Sequence, residues 1–164
     1  MDPRPVSDAR SFETDGPEAT EALGEALAAL VRPGDVIALH GELGGGKTCF
    51  VRGLARGLGV PEGVSSPTFT LMHTYAGRLP LHHLDAWMTK RGEGFLADGG
   101  AEWLSGDGVA AVEWAEHVRD WLPEARFEVR LEHLAPERRR VGLVWTGVGE
   151  RLAPLKAPRG TELG

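Results

Sequence analysis

Val36-Ile37-Ala38-Leu39-His40, then Gly41-Glu42-Leu43-Gly44-Gly45-Gly46-Lys47-Thr48, then Cys49 to Leu58, is the stretch that decides the fold. The first five residues form a short apolar run suited to a buried strand. Cys49 to Leu58 reads as a helix with Phe50, Leu54 and Leu58 on one face, and Gly59 and Pro61 stop it. A glycine-rich turn between a strand and a helix can wrap phosphate oxygens with consecutive backbone N–H groups. The positive end of the following helix adds to that attraction. In such a loop Gly44, Gly45 and Gly46 permit close backbone approach, Lys47 reaches the β- and γ-phosphates, and the Thr48 hydroxyl ligates Mg²⁺. A chain of this composition produces the pattern by chance only about 0.005 times. The stretch predicts binding of a nucleoside triphosphate with Mg²⁺, on an α/β fold.

Upstream, Arg10 to Thr14 reads as a short strand. Asp15-Gly16-Pro17-Glu18 reads as a helix start, with Asp15 at the cap and Pro17 in the first turn. Ala22, Leu23, Ala26, Leu27 and Leu30 then make an apolar stripe at helical spacing. Downstream, Thr68 to Tyr75 and Leu79 to Asp85 read as strands joined near Ala76-Gly77-Arg78. Residues 88–108 are glycine-rich and read as irregular, with a short helix around Glu102-Trp103-Leu104. Gly108 to Trp114 reads as a buried strand, and Ala115 to Leu122 as a short helix. Phe127 to Leu134 and Arg139 to Thr146 read as an antiparallel pair. Residues 1–8 and 149–164 read as flexible ends of one domain.

A phosphate-loop site draws its second Mg²⁺ contact from an acid at the end of another buried strand, a place that Glu113 fits. Glu113 closes Val109-Ala110-Ala111-Val112, and Asp85 closes the other candidate strand. His82 and His83 are adjacent on a strand and point to opposite faces, so they do not share one metal. The five tryptophans have no repeated spacing and read as packing, with Trp114 beside Glu113 the exception to watch. Arg138-Arg139-Arg140 reads as a solvated turn.

Composition narrows the function. The net charge of −6 argues against a stand-alone nucleic-acid binder. The single cysteine, Cys49, excludes an internal disulfide framework and fits a reducing compartment. No apolar stretch is long enough for a membrane span, and Met1 to Pro5 lacks the pattern of a signal peptide. Cytoplasm is the expected location. The chain contains no Asn and no Gln. The Asn-Lys-x-Asp guanine reader of GTPases is therefore absent, as is the catalytic Asn of protein kinases. Adenine, or loose base recognition, is favoured by elimination. An ATPase, a small-molecule kinase and a nucleotide-gated binding module all remain compatible with the loop.

The loop, followed by Ser66-Pro67-Thr68-Phe69-Thr70-Leu71, His83-Leu84-Asp85 and Val112-Glu113-Trp114, resembles the TsaE (YjeE) family of small bacterial ATPases. The resemblance runs from about Ser11 to Trp145. It implies a P-loop NTPase-like three-layer sandwich, with a central mixed sheet flanked by helices. It also implies a weak, partner-dependent ATPase that supports tRNA threonylcarbamoyladenosine biosynthesis with TsaB and TsaD, with tRNA met only through that pair. The implied cofactors are ATP and Mg²⁺. Nucleotide contacts would fall on Glu42, Leu43, Gly44, Gly45, Gly46, Lys47, Thr48, Cys49 and Thr68, and the region around Thr20 would approach the nucleotide. Mg²⁺ would be held by Thr48, Glu113 and Asp85, and catalysis carried by Lys47, Asp85 and Glu113. Two departures stand out. The family continues His-x-Asp with x-Tyr-Arg, where this chain has Ala86-Trp87-Met88. Cys49 replaces a second Thr after the lysine.

Overall fold

The computed structural model describes residues 8–42, 46–61, 63–64 and 71–163. Seven strands form one sheet in the order β1-β7-β6-β2-β5-β4-β3. In chain order they are β1 (Asp8–Thr14), β2 (Val36–Gly41), β3 (Met72–Tyr75), β4 (Leu81–Asp85), β5 (Val109–Glu113), β6 (Phe127–Ala135) and β7 (Arg138–Trp145). The helices are α1 (Pro17–Ala28), α2 (Lys47–Gly57) and α3 (Thr89–Ala97), with 3-10 segments at Gly100–Leu104 and Ala115–Trp121. The central strands β4, β5, β2 and β6 run parallel, and β1, β7 and β3 add antiparallel flanks.

Parallel strands are covered on both faces, so they read as continuous apolar runs. Ile37, Leu39, Ala111 and Val129 point to the α1–α2 side, where Leu23, Leu27, Phe50 and Leu54 meet them. Val36, Ala38, Ala110 and Val112 point to the other side, against Leu96, Leu104 and Val118. The result is the three-layer α/β arrangement that the family resemblance implies. α1 and α2 touch backbone to backbone. A β-carbon added at Gly53 would lie 1.8 Å from the Glu21 carbonyl oxygen, and one at Gly24 2.2 Å from that of Phe50. This contact fixes α2, and with it the lysine and threonine of its first turn.

Several expectations need correction. The α1 cap is Gly16, with no side-chain cap hydrogen bond, because Pro17 at the first turn already removes one donor that a cap would serve. Helix α3 occupies part of the stretch read as irregular; Leu96 is buried against the sheet and offsets the low helix propensity of Gly92 and Gly94. Asp8 opens β1 instead of lying in a loose end, and its carboxylate accepts the N–H groups of Arg151 and Leu152. Residues 149–163, also expected to be loose, pack on the sheet. Leu152 and Leu155 enter the core, and residues 161–163 pair with β1 through Glu13 N to Thr161 O at 2.8 Å and Leu163 N to Ser11 O at 2.8 Å. An edge strand offers unpaired backbone groups, and the tail satisfies them. The strand read from Thr68 begins at Met72, with 68–70 outside the described residues. No helix among the described residues is long and apolar enough to cross a membrane.

Candidate active site

β2, β4 and β5 run parallel, so their carboxyl ends lie along one edge of the sheet. Open α/β sheets bind ligands at that edge. Helix α2 begins there too, with Gly46 as its N-cap at φ 97°, a left-handed conformation that favours glycine. Register places Asp85 of β4 directly beside Glu113 of β5. Both carboxylates are about 95% buried, an uncommon setting for acids without partners.

The partners are specific. The Thr48 hydroxyl donates to both oxygens of Glu113, at 3.0 and 3.1 Å. Asp85 Oδ1 accepts the Trp87 N–H at 2.9 Å. Lys47 Nζ donates to the Gly41 carbonyl at 2.6 Å and the Glu42 carbonyl at 2.9 Å. It also lies 4.0 Å from the centre of the Trp114 ring. Burial pushes the Lys47 ammonium below its ordinary pKa, while the charges of Glu113, Glu116 and Asp85 act in the opposite sense. Trp114 adopts φ 56° and ψ 42°, a left-handed backbone that costs a bulky residue about 1–2 kcal/mol. That turn carries its ring across the site, against Trp87 at 4.4 Å and stacked on His117 at 5.7 Å. A cleft of about 760 Å³ opens beside it, lined in part by Glu42, Trp87, Trp114 and Arg130.

Lys47, Thr48, Asp85 and Glu113 thus converge. Glu42 contributes its carbonyl, and its side chain is exposed. Cys49 faces away from the carboxylates; its thiol donates to the Pro17 carbonyl at 3.1 Å, and burial pushes it above its ordinary pKa. It lines a smaller pocket with Thr20, Gly46 and Arg139. Leu43, Gly44, Gly45 and Thr68 lie outside the described residues. Two histidines went unassigned in the sequence. His83 is fully buried with Nε2 2.5 Å from Glu113 Oε2. His40 spans Glu116 at 2.7 Å and Glu128 at 2.5 Å. Strand alternation was the available signal for His83: two residues before Asp85, it shares that residue's face.

The donors suit a hard cation. Hydroxyl and carboxylate oxygens are the ligands Mg²⁺ prefers. Among the described residues no cluster of three or more His, Cys, Asp or Glu could hold a metal alone. Thr48 with Glu113 fits an ion whose other ligands are phosphate oxygens and water.

The match to known proteins covers most of the chain. A family model described as threonylcarbamoyl adenosine biosynthesis protein TsaE matches residues 14–141. A Bacillus subtilis protein named tRNA threonylcarbamoyladenosine biosynthesis protein TsaE is 39% identical over 142 residues, 85% of this chain and 87% of its own. A Treponema pallidum protein of the same name is 43% identical over 122 residues, covering 74% and 90% respectively. The crystal structure of Bacillus subtilis YdiB superposes with a TM-score of 0.76 at 34% identity, covering 87% of this chain and 88% of that one.

Proposed function

The chain belongs to the TsaE family, and from that premise we propose that it is a Mg²⁺-dependent ATPase subunit serving tRNA threonylcarbamoyladenosine biosynthesis together with TsaB and TsaD. The observation that carries the nucleotide part is the Thr48–Glu113 contact at the start of α2, with the Lys47 ammonium 4.0 Å from the ring of Trp114, the residue after Glu113. Thr48 and Glu113 would hold the metal shell, with Asp85 beside them. Mg²⁺ bound there would neutralise charge on the β- and γ-phosphates. Lys47 exchanges its carbonyl partners for phosphate oxygens and stabilises charge on the transferring phosphoryl group. A carboxylate of the Asp85–Glu113 pair orients water for in-line attack on the γ-phosphorus. The bond to the β–γ bridging oxygen breaks, and ADP and inorganic phosphate leave.

In this role hydrolysis acts as a timer that resets the TsaB–TsaD transferase between turnovers. The formal charge of −6 is in keeping with tRNA being met through that pair and not by this chain alone. The test is reconstituted tRNA modification with Lys47→Ala. Loss of multiple turnovers is expected, and undiminished multi-turnover modification would overturn the reading.

A further inference from the structure

We propose that His83 is a positioning residue for the Mg²⁺ shell, fixing the Glu113 carboxylate through its Nε2–H. The proposal rests on the nucleotide reading of the site. It starts from an oddity of the core. His83 is 0% exposed on the face that carries Ile37 and Leu39, where an aliphatic side chain would be the ordinary occupant. Its strand partner in register is Ala111, whose small side chain leaves room for the imidazole to lean along the sheet toward Glu113.

The ring is satisfied on one side only. Nε2 meets Glu113 Oε2 at 2.5 Å, whereas Nδ1 is buried and has no hydrogen-bond partner among the described residues. A hydrogen on Nδ1 would be a buried donor without an acceptor, which is costlier than an unused lone pair. The geometry therefore assigns the Nε2–H tautomer, donating to the carboxylate. Glu113 is then held from two directions: His83 takes Oε2, and the Thr48 hydroxyl spans both oxygens. The His83 contact falls on Oε2, and Oε1 is met by the Thr48 hydroxyl, itself a residue that would share the metal. Outer partners that orient a ligating group in this way typically change metal affinity by about 10–100-fold when removed.

The experiment compares His83→Leu, His83→Asn and His83→Gln with wild type. Binding of a non-hydrolysable ATP analogue is measured by calorimetry in EDTA and across a MgCl₂ titration, with thermal melts as a check on folding. Gln can place an N–H near the position of His Nε2, whereas Asn reaches only the position of Nδ1. The half-saturating Mg²⁺ concentration is expected to rise about 10-fold in His83→Leu and His83→Asn. It should return close to wild type in His83→Gln, and metal-free binding should be common to all. If His83→Leu does not fold, the Asn–Gln pair decides. Equal Mg²⁺ requirements for Asn and Gln, or a loss that is the same in EDTA, would overturn the proposal. A wild-type protein that binds the analogue without responding to Mg²⁺ would instead overturn the reading beneath it.

Discussion

The ammonium of Lys47 lies 4.0 Å from the centre of the Trp114 indole while donating to the carbonyls of Gly41 and Glu42. A cation over a partly desolvated indole is stabilised by up to about 2 kcal/mol. Phosphate oxygens compete for the same ammonium. Nucleotide binding is therefore expected to draw Lys47 off the ring and change tryptophan emission. Trp114→Phe should abolish that change, and Trp121→Phe should keep it. A signal that survives loss of Trp114 would contradict the account.

The α1–α2 contact predicts opposite outcomes for one kind of substitution. In Gly24→Ala the new β-carbon meets the Phe50 carbonyl oxygen at 2.2 Å and the Leu54 nitrogen at 2.8 Å. Neither backbone atom can rotate away, so the helices must part, at about 1–3 kcal/mol. A Tm loss of about 2–12 °C is expected. Gly94→Ala meets nothing within 4 Å, on a helix. It should gain about 0.5–1 kcal/mol. Thermal melts of the two variants check both signs.

Arg151 anchors the tail. Its guanidinium pairs with both oxygens of Asp35, at 2.8 and 2.7 Å, and donates to the Leu30 carbonyl at 2.9 Å. It also lies over the rings of Phe127 and Trp145, at 4.9 and 4.7 Å. Arg151→Ala is expected to cost about 2–4 kcal/mol in denaturant unfolding. Arg151→Lys should recover less than half, because a point charge supplies neither the fork nor the flat stacking surface. Full recovery by lysine would show that charge alone anchors the tail.

Glu128 gives a pH dependence with a definite sign. Burial pushes its carboxyl up, but the His40 hydrogen bond and charge, aided by Arg126, outweigh this and hold it below the ordinary range. A carboxyl depressed in the folded state stabilises the fold above its unfolded pKa of about 4.3 and loses that contribution as the pH falls through its folded value. The Tm difference between wild type and Glu128→Gln should be widest near neutrality and narrow below about pH 4. A difference that does not vary with pH would remove Glu128 from this role.

The centre of the fold was legible because its signals are local. An apolar run, a glycine turn and a helix with Phe50, Leu54 and Leu58 on one face specify strand, loop and helix without any distant partner. Glu113 and Asp85 were legible as acids closing apolar strands. What escaped depends on tertiary contact. Helix α3 carries Gly92 and Gly94 and is held by burial of Leu96, which sequence periodicity did not reveal. The tail is ordered by Asp8, Asp35 and the open edge of β1, all distant in sequence. On the sequence His83 is a neighbour of His82 and the first residue of His83-Leu84-Asp85, and neither reading gives it a role of its own. The opposite-faces argument separates the two; applied to His83 and Asp85 it puts them on one face, and the β4–β5 register then brings that face to Glu113. Leu43, Gly44, Gly45 and Thr68 lie outside the described residues; the two glycines are read from the loop motif, and Thr68 from the family resemblance.

In the proposed function this loop times a neighbouring enzyme. Phosphate release from ATP, measured with and without the TsaB–TsaD pair, tests it most directly. Slow release by the chain alone is expected, with stimulation of about 10-fold or more by the pair and loss of both rates in Lys47→Ala. Release that is indifferent to the pair, or phosphate transferred to a metabolite in place of water, would contradict it.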